Sequence, residues 1–170
     1  MINRFVFVLF LSFALHAQAE TNPPEVVTKE FFHYLLSSKN DISTDSKAQG
    51  HWLAKPLRKL LASATEAANK SVKAHPDEKI DLPDNKTFLG AWDPPTSFEI
   101  TKSQQTLSQA LVTINCKWGP DTQYPGDKRV MTAVLTLENG SWKISDIQTH
   151  AGKFASEGTL VEELRQLKVQ

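Results

Sequence analysis

The chain holds a single cysteine, Cys116, so no disulfide can form within it and its stability must come from packing. A lone thiol in an exported chain is expected in the core, where it behaves as a small hydrophobe. Long apolar runs are missing as well: the longest, Phe5 to Leu15, falls short of the roughly 20 residues a membrane span requires. Neither sign of charge is in excess, with 19 Lys+Arg against 19 Asp+Glu. That balance argues against nucleic acid or an anionic lipid surface as a partner. Gly-x-Ser-x-Gly, Ser-x-x-Lys and a glycine-rich phosphate loop are all absent, which disfavours serine hydrolase and nucleotide chemistry. His33, His51, His75 and His150 do not stand at zinc-ligand spacings, and one cysteine excludes multi-cysteine ligation. No metal and no cofactor are implied.

What is present begins with a leader. Arg4 precedes the apolar run, and Ala17-Gln18-Ala19 offers small residues where a signal peptidase reads. Residues 1–19 are therefore expected to be a signal peptide cleaved after Ala19, which directs the protein to the periplasm. Glu20 and Thr21 follow, so there is no new N-terminal cysteine to acylate and no membrane anchor is expected after cleavage. Residues 20–170 then form one domain, since about 150 residues suit a single core. Loss of Arg4 leaves a net charge of about −1.

Asn22-Pro23-Pro24-Glu25 reads as a helix start, with Asn22 as the cap, followed by Val27, Phe31, Tyr34 and Leu35 at helical spacing as far as Ser37–Asn40. A polar stretch, Asp41 to Gly50, leads into a second helix on which Leu53, Leu57, Leu60, Leu61, Ala64 and Ala68 share a face and Pro56 sits in the first turn. From Ser71 to Pro95 periodicity fades, and a long loop is expected that carries Phe88, Leu89 and Trp92 inward.

Beyond Pro95 the period changes to two. A strand from Ser97 to about Lys102 precedes Ala110 to Trp118, where Ala110, Val112, Ile114, Cys116 and Trp118 make one apolar face. Val130 to Glu138 and Ser141 to about Gln148 form a hairpin around Asn139-Gly140. Thr159-Leu160-Val161-Glu162 is a capping box opening a last helix, with Leu164 and Leu167 on its stripe. Helices, a meander and a closing helix make an α+β domain: N-terminal helices on a curved antiparallel sheet of about four strands.

The run Glu138-Asn139-Gly140-Ser141-Trp142-Lys143-Ile144-Ser145-Asp146-Ile147, with Gly158-Thr159-Leu160 after it, resembles the C-terminal signature of a bacterial uncharacterised-domain family, number 3828. Lys29 to Leu35, Leu53 to Ala64 and Asp81-Leu82-Pro83 are similar to its N-terminal pieces. The resemblance implies a small envelope protein with the cone-shaped α+β roll of the nuclear transport factor 2-like superfamily, and it supplies no catalytic set. Several members are lipoproteins, whereas this chain lacks the lipobox cysteine.

Folds of that superfamily form a pocket between sheet and helices, and fold alone does not choose its use. By strict alternation Asp146 shares a face with Trp142 and Ile144, where a carboxylate can act as a general base. The favoured reading is plainer: Asp146 ends its strand and bonds backbone N–H groups or a neighbouring loop. Trp118 and Trp142 are expected in the core, and Trp92 as an anchor of its loop, with a pocket or partner as the alternative. Tyr34, Trp92, Asp93 and Asp146 are the candidate ligand- or partner-contacting residues. The expected function is a non-enzymatic domain that binds an envelope protein or a small ligand. The alternatives are a pocket enzyme based on Asp146 and an immunity protein against a secreted toxin.

Overall fold

The computed structural model describes residues 22–78 and 80–167; the leader expected over residues 1–19 lies outside them. Helix α1, Pro24–Ser37, starts with Pro24 in its first turn, and the Pro23 carbonyl accepts from Val26 N at 3.0 Å and Val27 N at 3.1 Å. Asn22 does not cap it: Pro23 holds that position, and no side-chain cap bond forms. Phe31 and Phe32 are both fully buried. They point to different neighbours, Phe31 edge-on to Phe88 at 5.8 Å and Phe32 against Phe98 at 5.5 Å, so α1 joins the later helices to the first strand.

The polar stretch after α1 is not all loop. Helix α2, Ser46–Trp52, is capped by Asp45, whose carboxylate accepts from Ala48 N at 2.9 Å. It ends because Leu53 is extended and bridges Ile144, while Ala54 N donates to Ile144 O at 2.8 Å. This strand-like step separates α2 from α3, Lys55–Ala74, where one helix was expected. Pro56 does lie in the first turn of α3, and Leu57, Leu61, Ala64 and Ala68 form its buried face.

The expected loop from Ser71 to Pro95 needs correcting at both ends. Helix α3 runs on to Ala74, supported on its exposed side by the Glu66–Lys70 pair at 2.6 Å, and stops before Pro76. Helix α4, Asn85–Leu89, then forms behind a reciprocal cap: Thr87 N donates to Asp84 Oδ1 at 2.9 Å and Asp84 N to Thr87 Oγ1 at 3.1 Å. Gly90 ends it at φ 56°, a left-handed conformation that glycine adopts without a Cβ penalty.

The sheet is antiparallel in the order β1-β2-β3-β4-β5: Ser97–Gln105, Gln109–Lys117, Lys128–Glu138, Ser141–Thr149 and Gly158–Thr159. The fold is α+β, with helices first and α5, Leu160–Leu167, last. The sheet has five strands rather than about four, because the two-residue β5 pairs with Gln148 and Thr149. Asn139 at φ 51° and Gly140 at φ 75° turn β3 into β4, as their side chains permit. Ala110, Val112, Ile114 and Cys116 face the helices with Met131, Ala133, Leu135, Trp142 and Ile144, and all are buried.

In β4 the alternation breaks. Val134 pairs with Asp146 but Leu135 with Ile144, so β4 carries an extra residue, Ser145. The shift sends Ile147 into the core at 2 % exposure and turns Asp146 out of it. The shared face expected for Trp142, Ile144 and Asp146 therefore does not form.

Candidate functional site

A groove of about 980 Å³ runs between α4 and α5. Ile147 and Thr149 of β4 line it together with residues 80–82, 90–92 and 154–159. Leu82, Trp92 and Phe154 line it and stay 46 %, 56 % and 44 % exposed, an unusual gathering of large apolar side chains in water. Among the described residues six carboxylates line it, Asp41, Asp81, Asp84, Glu157, Glu162 and Glu163, against one ammonium from Lys86. Desolvation, with the charge of Asp84 adding to it, holds the Glu163 carboxyl above the usual carboxylate range. Among the described residues no group of three or more His, Cys, Asp or Glu is arranged to hold a metal ion.

The Trp92 segment is fixed from behind by a buried cation. Arg129 on β3 donates through one terminal nitrogen to Gly90 O at 2.6 Å and through the other to Asp127 Oδ2 at 3.2 Å, and both ion-pair side chains are almost fully buried. Its guanidinium lies 4.5 Å from the centre of the Trp118 ring and 5.6 Å from that of Tyr124. Trp118 Nε1 in turn donates to Asp93 O at 2.7 Å. Gly90 and Asp93 are thus pinned on either side of Trp92, whose ring stands at the groove wall. The expected inward anchoring of Trp92 is corrected: Phe88 and Leu89, each 1 % exposed, anchor this segment instead. Trp118 is buried in the core as expected, and its ring also serves as the platform of the Arg129 cation.

The other candidate residues lie elsewhere. The Asp93 carboxylate accepts from Gln123 N at 2.7 Å, so it ties two loops together. Asp146 Oδ1 accepts from Ile147 N at 2.8 Å and Val161 N at 3.1 Å, joining β4 to the first turn of α5. Desolvation raises its pKa against the opposing effect of those two amides. With that oxygen engaged and the residue off the groove lining, Asp146 lacks the geometry of a general base for a ligand in the groove. Tyr34 donates to Asp45 Oδ2 at 3.1 Å and stacks on Trp52 at 4.8 Å, which joins α1 to α2. Desolvation pushes its phenol upward in pKa. Only Trp92 of the four lines the groove.

Sequence reasoning missed Phe154, whose segment has no periodicity. A bridge between Gly152 and Ala155 folds it into a tight turn that sets the Phe154 ring 5.8 Å from Tyr124. Glu162 was legible as the last residue of a capping box and Glu163 only as part of the acidic first turn of a helix. A smaller depression of about 440 Å³ crosses α3 beside Glu66, Asn69 and Lys70. It has no aromatic lining, and its Lys70 and Glu66 pair with each other.

Among the described residues no helix is long and apolar enough to cross a membrane. No family model, curated protein or solved structure matches the chain, and the family resemblance rests on the residues quoted for it alone.

Proposed function

We propose that the protein is an exported, non-enzymatic binding domain of the bacterial envelope, and that it takes its ligand or partner in the groove between α4 and α5. The observation that supports this most is Trp92, 56 % exposed on a segment held from behind by Arg129 and Trp118. A large aromatic kept in water on a rigid support is a typical recognition anchor, because little side-chain entropy remains to be lost on binding. The leader sequence supports export, and the envelope family that residues 138–147 resemble supports the compartment.

Capture from an envelope fraction on immobilised protein tests the reading. A partner retained by the wild type and lost by Trp92→Ala is the expected result. Equal retention by both, with the variant folded by circular dichroism, overturns the groove as the binding site.

A further inference from the structure

Resting on that reading, we infer that the occupant of the groove is a basic, extended segment of a partner protein, with lysine or arginine side chains set beside apolar or aromatic ones. Two features of the groove carry this. First, its charge among the described residues is one-sided although the chain as a whole is balanced: six carboxylates against Lys86 on the lining and Lys153 beside Phe154, 19 Lys+Arg against 19 Asp+Glu overall. The asymmetry is therefore local, and an approaching cation is drawn to this face rather than to the molecule at large.

Second, the same groove is lined by the partly exposed apolar side chains of Leu82, Trp92 and Phe154. A bare metal ion or a small polar cation has no use for those apolar side chains. A peptide whose side chains alternate between cationic and apolar satisfies both.

Size points the same way. About 980 Å³ is at the upper end of small-molecule sites, and the groove opens to solvent, whereas a small ligand is normally enclosed over most of its surface. The Glu163 carboxyl, held above its usual range by burial and by the charge of Asp84, gains from a cation laid beside it in the groove.

The test titrates the full chain with a fluorescein-labelled octapeptide of lysine alternating with leucine and phenylalanine, a matched glutamate peptide and spermine, read by fluorescence anisotropy or, for spermine, by displacement. The lysine peptide is expected to bind and the glutamate peptide not to. Trp92→Ala should weaken binding about tenfold, as loss of a central aromatic anchor does. Glu157→Gln/Glu163→Gln should weaken it about fivefold, while Glu30→Gln/Glu99→Gln, which removes the same charge from other exposed positions, should change it less than about twofold.

Equal losses in the two double variants would mean that the peptide senses net charge only, and would overturn the inference. So would tight spermine binding that displaces the peptide and is unaffected by Trp92→Ala, which would mark a small polyamine site. Binding of the glutamate peptide that is lost in Trp92→Ala would overturn the basic partner yet leave the groove as a binding site. Binding of any probe unaffected by Trp92→Ala, or of none, would count against both.

Discussion

Arg129 donates to the Gly90 carbonyl at 2.6 Å, which fastens the left-handed end of α4 to the middle of the sheet. The cation that makes this bond is buried with Asp127 and stacked on Trp118, so the wall of the groove and the core share one support.

Removing that cation should affect both. Arg129→Met leaves the Asp127 carboxylate buried without its partner, and loss of one member of a buried pair costs about 3–5 kcal/mol. Urea unfolding should show a loss of that size, and the emission of Trp92 should change as its segment loosens. A variant as stable as the wild type would mean that the pair does not hold the fold.

Asp146 should behave as a structural acceptor. Asp146→Ala strands the Ile147 and Val161 amides, at a cost of about 1–3 kcal/mol. Asp146→Asn keeps an oxygen in place. The folded carboxyl has a raised pKa, so its stabilising contribution is complete below the unfolded value and is lost as pH rises through the folded one. The asparagine variant escapes that loss and should gain on the wild type between about pH 4 and pH 7. Urea midpoints across that range are the check, and a variant that loses ground as pH rises would contradict this assignment.

Cys116 should be inert in the folded chain. It is fully buried, and burial pushes its thiol up to about 12. Iodoacetamide at mildly alkaline pH should leave native protein unmodified and alkylate it rapidly in urea. Fast alkylation of the native chain would place the thiol outside the core.

The β3–β4 turn should be sensitive to its backbone angles. Replacing Asn139, at φ 51°, by valine puts a β-branched residue in the left-handed region and should cost about 1–2 kcal/mol in thermal or urea unfolding. An unchanged midpoint would show that the turn adopts another type.

Period-two alternation made β2, β3 and β4 legible, because a buried face repeats in every second residue and Asn139-Gly140 marks their turn. The extra residue at Ser145 has no compositional mark, and it decides that Ile147 rather than Asp146 enters the core. Helices α2 and α4, seven and five residues long, are too short to show a period. Their caps, Asp45 and the pair of Asp84 with Thr87, were the available signals. The groove escaped sequence reading for a different reason. Its walls come from residues 80–92 and 154–167, and nothing local records that Trp92 and Glu163 border one space.

The central claim is that this groove is where the protein binds. A nitrogen-15 NMR titration of the full chain with the lysine, leucine and phenylalanine octapeptide tests it most directly. The account predicts saturable amide shifts confined to the segments around Leu82, Trp92, Phe154 and Glu163, with the Trp92 indole signal among the largest. Shifts centred on α3 or on the strands away from the helices, with the Trp92 indole unmoved, would contradict it.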